Sequence, residues 1–93
     1  MAHRVDAIPL SLGTTTLDTR SGAIPVGVDV RNVGAVPTPH VLLRVDTTAA
    51  AVQRIFHVVA EGADVAAYSD EALVGHTRMV SGSAWSVFDG NEV

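Results

Sequence analysis

The residues best able to do chemistry are four histidines, His3, His40, His57 and His76, and a run of carboxylates, Glu61, Asp64, Asp70 and Glu71. Zinc sites usually draw ligands in close pairs such as His-x3-His, but the histidines here are 37, 17 and 19 residues apart. That spacing predicts ordinary strand and surface histidines and no metal. The carboxylates do not fit the positions 1, 3, 5, 7, 9 and 12 of a calcium loop, so they read as a solvated acidic stretch that could steer an arginine-bearing partner. The serines at 11, 21, 69, 81, 83 and 86 include none within Gly-x-Ser-x-Gly, and without cysteine there is no thiolate nucleophile. The glycines are scattered and lysine is absent, so no phosphate-binding loop is formed. The sequence therefore predicts no enzyme and no cofactor.

Composition narrows the class. Ninety-three residues suffice for one domain. Apolar residues make up 47% and charged residues 17%, which is too apolar for a disordered chain. A net charge of -4 lacks the basic stripe that nucleic acid requires. The apolar runs are too short for a membrane span or a secretory signal peptide. The charge is uneven: residues 1–46 net zero, whereas residues 47–93 carry the whole excess of acid.

With 16 valines and 13 alanines against four aromatic residues, the composition suits pleated strands but gives a thin core. Residues 3–8 alternate and end at Pro9, as a short edge strand does. Thr14–Thr19 is β-prone, and Ser21-Gly22 is a turn. Val26, Val28 and Val30 alternate with Gly27, Asp29 and Arg31, which places the valines on one face. Pro37-Thr38-Pro39 reads as a stiff connector. In the strand 40–46, Val41, Leu43 and Val45 face inward and Leu42 outward. Residues 48–60 fit either one short helix (Ala49, Val52, Phe56, Val59) or a loop and a strand 54–60; the β neighbours favour the strand. In that strand Ile55 is expected inward and Phe56 outward. Residues 62–71 read as a surface loop with some helical turn, and residues 76–80 and 84–88 as a hairpin about Ser81-Gly82-Ser83. Trp85 is expected to plug the core. The fold predicted is mostly β: a small sandwich or barrel of residues 13–93, preceded by an N-terminal arm, residues 1–12.

The stretch Val26-Gly27-Val28-Asp29-Val30-Arg31-Asn32-Val33-Gly34 resembles the alternating strands of immunoglobulin-like sandwich modules. As a whole, the short, lysine-free, Val/Ala/Gly/Thr-rich chain resembles in style the virion proteins of tailed phages, of the capsid-decoration or head–tail joining type. That resemblance implies an assembly subunit located in the virion, whose partners are other protein subunits: copies of itself or a larger scaffold such as a capsid shell. Without it, a cytoplasmic monomer that binds a ligand or regulates another protein is the alternative. The residues expected at an interface are Arg4, Leu10, Leu12 and Leu42, with Glu61, Asp64, Asp70 and Glu71 facing arginines of the partner.

Overall fold

A computed structural model describes residues 2–78 and 82–93. It contains seven strands: β1 (His3–Pro9), β2 (Gly13–Arg20), β3 (Ile24–Val33), β4 (Val36–Asp46), β5 (Ala51–Ala60), β6 (Leu73–Arg78) and β7 (Ala84–Glu92). They form two antiparallel sheets, one of three strands in the order β1-β4-β3 and one of four in the order β2-β5-β7-β6. The only helical piece among the described residues is a 3-10 turn, Asp70–Ala72. The protein is a small β-sandwich. Its strand order differs from the immunoglobulin arrangement, in which the first, second, fourth and fifth strands share a sheet.

Alternation builds the core. Val41, Leu43 and Val45 of β4 face Leu17 of β2, Phe56 and Val58 of β5, and Val87 of β7, while Leu10 and Ala23 fill in from the links between the sheets. These side chains are small, and the sandwich is only 17 Å through its shortest dimension. On one flank the edge strands β3 and β6 approach closely. A Cβ at Gly75 would stand 3.1 Å from Val28 Cγ2, so the glycine that weakens β6 as a strand is what admits its neighbour.

Several expectations are corrected. Residues 3–9 are no free arm: β1 pairs along β4 from His3↔Asp46 to Pro9↔His40. Leu10 is 3% exposed, because the chain crosses between the sheets there and the side chain drops into the core. Leu10 is therefore not an interface residue. Residues 51–60 are a strand and not a helix, with β2 on one side and β7 on the other. Its phase is the reverse of the one expected. Arg54, Phe56 and Val58 are buried, while Ile55 and His57 lie on the outer face.

Val26 is 54% exposed, because a bulge between Pro25 and Gly27 takes it out of step with Val28. The Pro37–Pro39 connector is the first part of β4, paired with Asn32 to Val30. Prolines are tolerated in this strand because β1 stops at His40. The backbone of Pro39 faces the β1 side, where its carbonyl accepts the N–H of Leu10 at 2.8 Å and only its missing N–H goes unused. β6 pairs with β7 up to Arg78↔Ala84. The rest of the expected hairpin strand, Met79 and Val80, and Ser81 of its turn lie outside the described residues.

Candidate interaction surfaces

Outward on the three-stranded sheet, neighbouring strands place apolar side chains in two rows. Val5 and Ile24 flank Arg44, and Ala7 and Gly27 flank Leu42. Val5 is 57% exposed and Ile24 55%, with the bulged Val26 beside them. Leu42 is half-buried among these neighbours, so its predicted outward position is where the structure places it. Val33 and Val36 form a separate exposed apolar pair at the end of the β3–β4 hairpin, beyond the polar Asp29–His40 and Arg31–Thr38 pairs. Exposed apolar side chains grouped on neighbouring strands mark a contact site more often than single exposed valines do.

The acidic stretch lies on the other sheet. Tyr68 is stacked between His57 (ring centroids 4.9 Å apart) and Phe88 (5.0 Å), and so pins the loop across the outer face of β5 and β7. Thr14 Oγ1 lies 3.1 Å from His57 Nδ1 and holds the imidazole from the far side. The sequence shows these three aromatic rings as widely separated; only the pairing His57↔Phe88 brings two together and leaves room for the third. Asp64 accepts the N–H of Ala66 at 2.9 Å, and Glu61 lies 4.0 Å from the exposed guanidinium of Arg78. Asp70 and Glu71 occupy the first turn of the 3-10 segment and are exposed.

Gly90 passes directly under His57. A Cβ there would meet His57 Nε2 at 2.9 Å and the Ile55 carbonyl oxygen at 3.0 Å. The backbone oxygen cannot yield, so Gly90→Ala should cost about 1–3 kcal/mol in chemical denaturation. A neutral effect would mean that β7 shifts away from β5.

Arg4, expected to reach a partner's acids, is held by Asp6 at 2.8 Å within its own strand. Arg20 donates to the Ala49 carbonyl at 3.2 Å. Both arginines, with Asp6, Asp18, Thr19 and Ala51, line a cavity of about 250 Å³ on the flank where β1 and β2 are the sheet edges. Thr19 Oγ1 is buried there and has no hydrogen-bond partner among the described residues. Leu12, just before β2, is 56% exposed. The predicted interface residues thus separate. Leu42 belongs to the apolar face, Arg4 to the cleft, and the four acids to the opposite sheet. A second cavity of about 310 Å³ is lined by Glu61, Val65, His76, Arg78 and Trp85, with Trp85 half-buried against the core.

The sequence reading missed a buried ion pair. Arg54 donates from Nε to Asp89 Oδ1 at 3.0 Å, from Nη2 to Asp89 Oδ2, and from Nη1 to the Ala23 carbonyl. Its guanidinium carbon lies 5.7 Å from the Phe56 ring centroid. Asp89 also accepts the N–H of Asn91 at 2.8 Å, where a positive φ of 68° lets β7 bulge around the carboxylate. Burial pushes the Asp89 carboxyl up. The bonds from Arg54 and the Asn91 N–H outweigh this and hold it below the ordinary carboxylate range. At the turn after β4, Asp46 is also held low, by the hydroxyl and N–H of Thr48.

Among the described residues no three His, Asp or Glu side chains gather with metal-ligand geometry, and no helix is long and apolar enough to cross a membrane. Comparison with protein-family models, with curated proteins and with solved structures found no match.

Proposed function

We propose that this domain is a structural assembly subunit that works by protein–protein contact, as the capsid-decoration and head–tail joining proteins of tailed phages do. The observation that carries the reading is the outer face of the β1-β4-β3 sheet, where Val5, Ile24 and Val26 stand more than half exposed around Leu42. The occupant this face suits is another protein subunit with an apolar surface and a carboxylate for Arg44, since Arg44 stands between Val5 and Ile24. The thin core supports the same reading, because a domain with little apolar area to bury gains stability from a bound neighbour.

Ile24→Glu places a charge on this face without touching the core. It should leave folding stability within about 0.5 kcal/mol of the parent. It should also prevent the protein from being incorporated into the particle with which the parent co-purifies at a fixed ratio. A parent chain never found with other subunits, or an Ile24→Glu variant incorporated as well as the parent, overturns the reading.

A further inference from the structure

We infer that the free edge of β2 pairs with β2 of a second copy of this chain, antiparallel about a two-fold axis centred on Leu17, and joins two four-stranded sheets into one. The inference rests on the reading of the domain as an assembly subunit and names one of its partners.

Edge strands normally carry something that blocks pairing. Here β3 carries Pro25 and a bulge and packs closely on β6, and β1 ends in Pro9. β2 differs from them. It has eight residues, three of them consecutive threonines, with no proline or lysine, and its register with β5 runs unbroken from Gly13 to Arg20. No strand covers its other side among the described residues.

The hydrogen-bond phase fixes which backbone groups are free. Ser21 donates its N–H to the Ala50 carbonyl at 2.8 Å, one step beyond the Arg20↔Ala51 pair. Odd-numbered residues of β2 therefore bond to β5, and Thr14, Thr16, Asp18 and Arg20 point their N–H and C=O groups away from the sheet. A two-fold pair of such edges must set even-numbered residues opposite one another.

Centring on Leu17 pairs Thr16 with Asp18 of the second copy and Thr14 with its Arg20, and every free backbone group of residues 14–20 is used. A centre one residue later would set Asp18 against Asp18, two like charges directly opposed. On the inner face, the chosen register places Thr15 of the second copy beside Thr19, whose buried hydroxyl has no partner among the described residues. Buried polar groups are rarely left unpaired, so this hydroxyl is an independent sign that something is missing at this edge. The cleft along the flank leaves room for the incoming side chain.

One strand edge buries less than the roughly 1,200 Å² of a stable interface, so the dimer should dissociate in the micromolar range. Sedimentation velocity up to about 100 µM should show a monomer–dimer equilibrium. Amide exchange should show protection of Thr14, Thr16, Asp18 and Arg20 rising with concentration. Thr16→Pro removes an N–H that β5 does not use, and should give a folded monomer. Thr16→Glu sets like charges opposite Asp18 twice and should weaken the dimer by roughly tenfold or more. Adding Asp18→Arg should restore it.

A parent protein that stays monomeric, or a dimer whose four amides stay unprotected, overturns the inference. So does a Thr16→Glu variant that dimerises as the parent does. None of these results touches the assembly reading, which Ile24→Glu tests on the other sheet.

Discussion

Asp89→Ala is expected to remove about 3 kcal/mol of folding stability, and to lower the urea midpoint by about 2 M at a slope of about 1.5 kcal/mol per M. The side chains of the pair are only 9% and 16% exposed, so Arg54 cannot simply exchange its partner for bulk water. Without the carboxylate, a guanidinium remains beneath β7 with the Ala23 carbonyl and the Phe56 ring as its remaining neighbours. Removing one partner costs far more than the pair contributes net, because the desolvation of the survivor is no longer offset. For a chain of 93 residues, total stability should be about 5–14 kcal/mol, so the variant should be marginal. Asp89→Asn, which keeps an acceptor for Arg54 and for the Asn91 N–H, should lose less. A loss below about 1 kcal/mol for Asp89→Ala would show that water reaches Arg54 freely.

The same carboxylate sets an acid limit. Its pKa is lower in the folded chain than in the unfolded one, so its contribution is present in full above the unfolded value of about 3.9. That contribution is lost as the pH falls below this value and through the lower folded pKa. Between neutral pH and pH 5 the stability due to Asp89 should be flat. Below about pH 4 the parent should lose stability more steeply than Asp89→Asn. Parallel acid limbs for the two proteins would show that Asp89 is not the group responsible.

What the sequence made legible was whatever obeys period-two alternation within one strand. Val41, Leu43 and Val45 face inward as their spacing predicts, since nothing interrupts β4 between them. The alternation of Val26, Val28 and Val30 fails at Val26 because a bulge, which depends on pairing with β4, inserts a residue that the pattern does not reveal. The prolines at 37 and 39 look like a corner in isolation. They become strand residues only because β1 is too short to demand their missing N–H groups.

Leu10 shows the same limit from the other side. A leucine just after a proline near the start of the chain has no local pattern to mark it as core, and the link between sheets is what buries it. The Tyr68 stack and the Arg54–Asp89 pair join residues 11 to 35 positions apart, so they follow from sheet order and leave no local signature. The exposed apolar face was legible only at Leu42, because its other members lie on two different strands.

Phe56→Ala is expected to cost about 4 kcal/mol, enough with this thin core to leave much of the protein unfolded at 37 °C. The difficulty in β5 is phase: Arg54-Ile55-Phe56-His57-Val58 offers an apolar residue to both faces, and an arginine on the inner side argues for the wrong choice. The ion pair with Asp89 makes that arginine tolerable inside, and it carries Phe56 and Val58 inward with it. Phe56 is then the largest fully buried side chain, 0% exposed, surrounded by valines and leucines that cannot collapse far enough to fill the space it would leave. Ile55 lies half-buried on the outer face, so Ile55→Ala should cost only about 1 kcal/mol. The two variants together test the phase of the strand: with Phe56 outward the order of their effects would be reversed. A larger loss for Ile55→Ala than for Phe56→Ala would therefore overturn both the placement of Arg54 in the interior and the core built around it.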